Sequence, residues 1–433
     1  MHNPRASVTS GATADALELP SLLSLYAQFG ATDVGRERLR CLAPAISRDE
    51  IDLRQRQIRD TQKVLEDGAL VPSQEEPLLP LLTGLAGGEL AVDGRHLLRL
   101  ATVLRITRQA VEKVRSTSTE VPDLEALLAD LPDTEPLRRR IAKSLDKRGR
   151  VRDDASPQLV KLRRQAHRVR DGLYKLLRQT VSDHSEHFSE DTVSLKDGRL
   201  TLLLEARARD QVGGLVHGRS GTGRNLHFEP LAAVEGNNRL QETLAEEEAE
   251  RRRILTELIR EAQAALPEIE AHFEALGRLD LLQAVSRFAE LTASTLPEMG
   301  RGEGLRLIAA RHPLLDPSLA ALREQALGQR GHEQPVVPLD LELDSERRIL
   351  VITGPNAGGK TVALKTVGLL ALAAQCGLPI PVAAGSRLPR FESVMAMVGD
   401  EQDLLADQST FSARLMRLRE AWEVAGPASL ILL

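Results

Sequence analysis

The stretch that most constrains this chain is Arg347 to Gly377, where a short apolar run precedes a glycine-rich octapeptide and a long apolar segment. Ile349 to Ile352 is aliphatic and rich in β-branched residues, which predicts a buried strand. The octapeptide from Gly354 to Thr361 fits G-x-x-x-x-G-K-[ST], and the proline-free segment after it predicts a helix that ends at Gly377. This order of strand, loop and helix indicates a phosphate-binding P-loop. The alternative is a glycine-rich turn with a chance Lys-Thr pair.

Each residue type in the octapeptide suits a nucleotide site. Glycines let backbone N–H groups wrap phosphates without Cβ clashes, and the helix start adds N–H groups and the positive end of its dipole. We expect Lys360 to reach the β- and γ-phosphates and the Thr361 hydroxyl to bind Mg²⁺. The predicted cofactors are therefore ATP or ADP with Mg²⁺. The predicted binding residues of the loop are Gly354, Pro355, Asn356, Ala357, Gly358, Gly359, Lys360 and Thr361.

Length and composition set broad limits. The 433 residues allow two to four domains, and a net charge of −5 gives no global basic field, so a nucleic-acid site must be local. Aromatic residues make up only 2%, which weakens base-stacking modes of single-strand binding. The two cysteines lack metal-ligand spacing, and no apolar run approaches the roughly 18 residues of a membrane span. These features favour a cytoplasmic protein without membrane contact.

The first third of the chain predicts an α-helical region. Amphipathic segments such as Ile51 to Leu65 and Gly94 to Val114 alternate with turns marked by proline and glycine. Basic residues cluster near the end of this region, at Arg138, Arg139, Arg140, Lys143, Lys147, Arg148, Arg150 and Arg152. Two interpretations stay open: a solvated helix face, or a local patch that contacts phosphates.

The middle of the chain predicts two long helices around a small β segment. The first helix has apolar residues three and four apart, which is typical of a coiled-coil arm, with an ordinary amphipathic helix as the alternative. Its apolar residues are Leu159, Leu162, Ala166, Val169, Leu173 and Leu176. Asp197-Gly198 between two strand-like runs then predicts a hairpin. From about residue 231 the chain is helical again, with an interruption at Pro267, and predicts an antiparallel returning arm.

The last third predicts mixed structure around the P-loop. Leu305 to Ile308 and Leu339 to Leu343 are strand-like, and a polar loop is expected from residue 316 to residue 334. Ser429 to Leu433 is a further strand-like run.

Several of these stretches resemble the MutS family, in its second bacterial branch. They are GPNAGGKTVALKTVGLLALAAQCGLPIP, RHPLLDP, GDEQDL, STFSARL, DASPQLVKLRRQ and GRLTLLLEARARDQVGGLVHGRSGTGRNLHFEPLAAVEGNNRL. The resemblance implies a multidomain α+β fold, mostly helical, that joins a lever and a small β clamp to an α/β ABC-like ATPase domain. The expected parts are a flexible N-terminus (1–14), a helical core (15–150), an outgoing lever helix (151–190), a β clamp (191–230), a returning lever helix (231–298) and an incomplete P-loop domain (299–433).

The resemblance also implies roles for individual residues. Asn356 is expected to contact the γ-phosphate or its water. Val336 and Val337 occupy the positions of an apolar bed for adenine. Ser409 and Thr410 match a signature that reaches the γ-phosphate of a partner subunit, which implies a homodimer; on residue type alone they predict a helix start.

The family pattern extends past Leu433 with the two Walker B carboxylates, a histidine switch, a coiled coil and an Smr nuclease domain. We therefore expect the chain to be an N-terminal piece of a longer protein, without a catalytic residue of its own and with weak or absent ATP turnover. Asp400, Glu401 and Gln402 match a loop that links the nucleotide to the moving parts; on composition alone they form an acidic loop.

The leading hypothesis is an ATP-dependent clamp that holds branched DNA and recombination intermediates through backbone contacts. The resemblance implies that the intact protein suppresses homologous recombination and carries an endonuclease. One alternative is an ATPase that binds ribosomal RNA and splits stalled or collided ribosomes. The other is a helical interaction scaffold with a vestigial nucleotide site.

Overall fold

The computed structural model describes residues 7–74, 76–87, 92–189, 192–221, 224–300, 304–329, 336–344, 346–355, 359–398 and 410–433. The helices are α1 (Gly11–Ala16), α2 (Leu19–Ala27), α3 (Asp33–Arg40), α4 (Arg48–Leu65), α5 (Leu79–Leu85), α6 (Gly94–Ser116), α7 (Pro122–Leu128), α8 (Glu135–Ser144), α9 (Pro157–Asp183), α10 (Leu231–Ala264), α11 (Leu266–Thr292), α12 (Ala320–Leu327), α13 (Lys360–Gln375) and α14 (Thr410–Val424). The strands are β1 (Ser194–Lys196), β2 (Arg199–Glu205), β3 (Gly214–Arg219), β4 (Asn225–Pro230), β5 (Glu298–Gly300), β6 (Leu305–Ala310), β7 (Leu339–Leu343), β8 (Arg387–Pro389), β9 (Ser393–Ala396) and β10 (Ser429–Leu432). The fold is therefore mixed α+β.

The chain divides into two compact units. The first unit comprises Met1–Leu82, Val103–Asp133 and Pro267–Leu433, and the second comprises Thr83–Thr102 and Thr134–Leu266. This division cuts through the helical region that the sequence presents as one core. Among the described residues, no helix is both long enough and apolar enough to cross a membrane.

The second unit is built on two antiparallel helices. Ser156, at the N-cap of α9, donates a hydrogen bond to Glu250 at 2.7 Å, and Gln165 donates to Thr243 at 3.2 Å. Partner numbers fall along α10 as they rise along α9, so the two helices run in opposite directions. The predicted seam is confirmed, because its leucines at 159, 162 and 173 are buried. An apolar seam on each helix buries surface that neither could bury alone.

A four-stranded antiparallel sheet follows α9, in the order β1-β2-β4-β3. The predicted hairpin is confirmed: Lys196 pairs with Arg199, and Asp197 and Gly198 have φ values of 49° and 80°. Such left-handed turn residues suit Asp-Gly because glycine pays no Cβ penalty there. Phe228 of β4 and Leu177 of α9 share one buried cluster, so the sheet packs on these helices.

The first unit has a helical core and two small sheets. Tyr26 of α2 stacks on Phe288 of α11 with ring centroids 3.8 Å apart, and its hydroxyl donates to the Pro379 carbonyl at 2.8 Å. One sheet has the order β5-β8-β6-β7, and β9 pairs with β10 in parallel. The predicted strands at Leu305–Ile308, Leu339–Leu343 and Ser429–Leu433 are thus confirmed, apart from shifts at their ends.

The sequence expectations for the N-terminus and for the polar loop from residue 316 are wrong. The flexible N-terminus does not include residues 7–14, because Val8 is buried, its carbonyl accepts a hydrogen bond from the Val394 N–H at 2.8 Å, and α1 begins at Gly11. The polar loop expected from residue 316 contains α12. Asp316 accepts hydrogen bonds from Ser318 and caps a 3-10 turn, Pro317–Leu319, that leads directly into α12. Leu319 is fully buried and anchors this turn, which the polar composition concealed.

Candidate nucleotide site and nucleic-acid surfaces

The described part of the predicted P-loop precedes helix α13. Gly354 and Gly359 have φ values of 152° and 76°, in the region that glycine adopts without strain. A Cβ built on either residue would meet open space, so backbone conformation, and not close packing, requires glycine at both positions. Asn356, Ala357 and Gly358 lie outside the described residues.

The start of α13 is suited to an anion. Gly359 is the N-cap and supplies no side chain to accept hydrogen bonds from the first turn. The first N–H groups of this 16-residue helix therefore receive no side-chain cap from Gly359, and they point along the positive end of the helix dipole. Thr361 is exposed in the first turn.

Lys360 folds back towards Gly354, the first residue of the motif. Its ammonium donates a hydrogen bond to the Gly354 carbonyl, so the first glycine and the lysine of the motif are adjacent in space. The positive glycine φ angles, the uncapped helix start and this lysine fit the phosphates of a nucleotide with Mg²⁺.

The prediction of a strand before the loop is wrong. Ile349–Ile352 forms no strand, and Ile349, Leu350 and Val351 are 86%, 51% and 76% exposed. An apolar run becomes a strand only where neighbouring strands accept and donate its hydrogen bonds. In the described sheets, β6 neighbours β7 and β8, and β10 neighbours β9, so neither sheet includes this run.

The far part of α13 is firmly held in the first unit. Gly368 packs so closely that a Cβ there would overlap the side chains of Leu17 and Leu432. Gln375 is fully buried, and its side-chain amide exchanges two hydrogen bonds of 3.0 Å with the backbone of Phe391. Its carbonyl also accepts from the Ala45 N–H at 2.9 Å. The loop thus sits on a helix that is rigidly anchored along its apolar half.

A charged group also contacts α13 near the loop. Glu18, whose φ is 62°, lies 3.3 Å from the Lys365 ammonium and 3.9 Å from the Nε2 atom of His312. His312 is 3% exposed, and its Nδ1 atom has no hydrogen-bond partner among the described residues. Burial lowers the pKa of His312 to about 4, and Lys365 and Arg323 also lower this pKa, whereas Glu18 opposes the shift.

This histidine predicts a pH dependence of stability. Between pH 6.5 and a pH of about 4, His312 is protonated in the unfolded chain and neutral in the folded chain, because its folded pKa is lowered. Stability from this group is therefore present above pH 6.5 and is lost as pH falls, by at most about 3 kcal/mol. His312→Gln should lose less free energy of unfolding between pH 7 and pH 4.5 than the parent chain, as measured by urea unfolding. His167→Gln, at a histidine that is 77% exposed, is the control and should match the parent.

The remaining nucleotide-site predictions stay untested. Val336 is half-buried and Val337 is 86% exposed, both shortly before β7. Thr410 is the first residue of α14, which agrees with a helix start. Ser409 and the loop Asp400–Gln402 lie outside the described residues.

The basic cluster between residues 138 and 152 is largely ion-paired. Arg138 and Arg139 lie 2.6 Å from Glu135, Arg140 lies 3.0 Å from Glu261, and Arg150 lies 2.9 Å from Asp146. Neighbouring carboxylates cancel much of the positive field of these arginines, which favours the solvated-face interpretation.

The small sheet offers a different basic surface. Arg209, Arg219 and Arg224 are exposed on β3 and on the loops that flank it, and Leu195 is 70% exposed on β1, the opposite edge strand. In β4 of the same sheet, the fully buried carboxylate of Glu229 contacts Arg199 at 2.7 Å, His217 at 2.6 Å and Asn237 at 2.8 Å. Sequence reasoning missed this network because its members are separated along the chain; a glutamate in an apolar strand run was the available signal.

Comparison with known proteins assigns the chain to a family. Residues 350–433 match the family model described as MutS domain V. A protein of Gemmatimonas aurantiaca named Endonuclease MutS2 is 34% identical over 429 residues, which are 96% of this chain and 50% of that protein. Endonuclease MutS2 proteins of Thermomicrobium roseum and Listeria innocua are 35% and 31% identical, and each alignment covers 96% of this chain and 52% of the relative.

The chain belongs to the MutS family. Within that family it is of the MutS2 type, since relatives with this name align along almost all of its length. The chain spans about half the length of the curated relatives it matches.

Proposed function

We propose that the chain binds ATP or ADP with Mg²⁺ through Gly354, Pro355, Asn356, Ala357, Gly358, Gly359, Lys360 and Thr361. The observation that carries this proposal is the approach of Lys360 to the Gly354 carbonyl across the uncapped start of α13. Mg²⁺ bound with the nucleotide would neutralise phosphate charge. Lys360 would donate to the phosphates, Thr361 would supply its hydroxyl to the metal, and the first N–H groups of α13 would orient the phosphate oxygens.

The finer assignments rest on the family resemblance. Asn356 would contact the terminal phosphate, and Val336 and Val337 would form the adenine bed. Ser409 and Thr410 would complete the site of a second copy in a homodimer.

We propose that the bound partner is nucleic acid, held through phosphate contacts by a cytoplasmic ATP-dependent clamp. The exposed arginines of the small sheet support this proposal, because exposed guanidinium groups can hydrogen-bond the phosphates of a nucleic-acid backbone whatever its base sequence. The relatives are named endonucleases, which supports nucleic acid as the partner. In its finer form, the proposal is that the intact protein binds branched DNA, suppresses recombination and carries a nuclease elsewhere in its sequence. Ribosomal RNA is the competing substrate.

Salt dependence tests the phosphate contacts. The affinity of the chain for a four-way DNA junction should fall steeply between about 50 mM and about 200 mM salt, because each phosphate contact releases counterions. Replacing Arg209, Arg219 and Arg224 together by glutamine should reduce the slope of log affinity against log salt by about 2 to 3. The matched control is Arg139→Gln with Arg150→Gln, whose ion pairs predict little change.

Three outcomes separate the candidate functions. Tighter binding of the junction than of a ribosomal RNA fragment supports the DNA clamp, and the reverse order supports ribosome recognition. Absence of binding to either at low salt would reject the nucleic-acid proposal and leave a protein scaffold.

A further inference from the structure

A second basic site lies in the first unit, apart from the residues assigned to the nucleotide. A cavity of about 500 Å³ opens between α4 and the strands β5 and β8. Arg48, Arg56 and Arg59 line it from the helix, and Arg387 lines it from β8. Its size is within the range of about 300 to 1,000 Å³ typical of small-ligand sites.

The residues of α4 that line the cavity lie on one face of the helix. Arg48, Asp52, Arg56 and Arg59 follow one another at intervals of three and four residues, so they share one face. Asp52 lies 3.3 Å from Arg48, and Asp123 accepts from Arg56 at 3.1 Å. These carboxylates orient the guanidinium groups, and each guanidinium has five N–H donors, more than one carboxylate can satisfy.

The sheet supplies an arginine in an unusual electrostatic position. Arg387 stands opposite Glu298 on β5 and opposite Arg306 on β6, and Arg306 stands opposite Glu342 on β7. Two like charges directly across a strand pair repel each other. The Glu342 carboxylate is 4.0 Å from Arg387, which is a long separation for an ion pair. The buried Nε atom of Arg387 has no hydrogen-bond partner among the described residues.

We propose that this cavity binds a phosphate-bearing anion. Four arginines line it with the two carboxylates of Asp52 and Glu298. Asp52 and Asp123 offset the charges of Arg48 and Arg56, whereas Glu342 reaches Arg387 only at 4.0 Å, so the positive charge of the cavity rests mainly on Arg59 and Arg387. Guanidinium groups from a helix and a sheet converge on one volume, and their planar forks match phosphate oxygens bidentately. The same chemistry serves a free phosphorylated ligand and a backbone phosphate of a nucleic-acid strand.

Pyrophosphate is the probe that tests this site. The whole chain carrying Lys360→Ala should still bind inorganic pyrophosphate in calorimetric titration at low salt, because the cavity does not include Lys360. Adding Arg59→Gln and Arg387→Gln should weaken that binding by at least about tenfold. Arg115→Gln, at an exposed arginine of α6, is the matched control and should leave it unchanged. Glu298→Gln should tighten binding, by about threefold, because it removes a negative charge opposite Arg387.

Competition by a short single-stranded oligonucleotide identifies the source of the phosphate. Displacement of pyrophosphate by the oligonucleotide assigns the site to a nucleic-acid backbone, and failure to displace it assigns the site to a free phosphorylated ligand. The proposal is overturned if the Lys360→Ala chain does not bind pyrophosphate, or if the arginine and Glu298 variants leave the affinity unchanged. Either negative result leaves the P-loop proposal intact, since that proposal is tested by loss of nucleotide binding on replacing Lys360.

Discussion

Lys360→Ala should weaken the binding of a fluorescent ADP or ATP analogue by a factor of about 10 to 150, equivalent to about 1.5–3 kcal/mol. The variant removes a charge-assisted hydrogen-bond donor from the site where phosphate charge is concentrated. The ammonium already contacts the Gly354 carbonyl at the start of the motif, so we expect little reorganisation for it to meet a phosphate there. Equilibrium titration at fixed Mg²⁺ measures the change.

The experiment requires controls for folding and for charge. Lys175→Ala removes an exposed lysine of α9 and should leave nucleotide affinity unchanged. Thr361→Ala should chiefly reduce the gain in affinity that Mg²⁺ gives, because the hydroxyl is assigned to the metal and not to the phosphates. If Lys360→Ala binds nucleotide as tightly as the parent while both thermal unfolding curves coincide, the nucleotide is not held by this loop.

The contacts of α13 link the nucleotide-binding loop to other segments of the first unit. The helix starts at the loop and ends at Gln375, whose hydrogen bonds join the backbone at Phe391 and Ala45. Lys365 joins it to Glu18. A closely packed, hydrogen-bonded helix moves as one body, so a shift at its first turn reaches these segments together.

Local chemistry made part of this fold predictable. The hairpin at Asp197-Gly198 needs only two residues that tolerate positive φ between strand-like runs. The seam on α9 needs only the spacing of its leucines, and the start of the P-loop helix needs only the motif. These features depend on residues within a few turns of one another, which a sequence displays directly.

Features that depend on distant partners were predicted poorly. Ile349–Ile352 has the composition of a buried strand, but strand pairing is decided by neighbours far along the chain. Strand β3 carries glycine and polar residues and is recognisable only through its pairing with β4. The arginine cavity joins Arg59 to Arg387, and no local pattern connects residues so far apart.

A buried carboxylate holds the N-terminal helices on α11. Asp280 is fully buried and accepts hydrogen bonds from the Ala31 N–H at 2.7 Å, the Thr32 N–H at 2.7 Å and the Thr32 hydroxyl at 2.6 Å. The approach of α3 is so close that a Cβ on Gly35 would overlap this carboxylate. Burial raises the pKa of Asp280, and these hydrogen bonds oppose the shift.

Asp280→Ala should reduce the free energy of unfolding of the first unit by about 3–5 kcal/mol, because it leaves three buried hydrogen-bond donors without an acceptor. Asp280→Asn keeps one acceptor oxygen and should lose less, whereas Asp130→Ala, at an exposed aspartate, should lose almost nothing. Hydrogen exchange at Ala31 and Thr32, together with urea unfolding, reports the loss in this unit. Because the folded pKa of Asp280 is raised, its contribution is greatest below the unfolded pKa of 3.8 and declines as pH rises through the folded value. The Asn variant should therefore lack this decline; an equal pH dependence in both chains would show that the Asp280 carboxyl does not titrate differently in the folded and unfolded states.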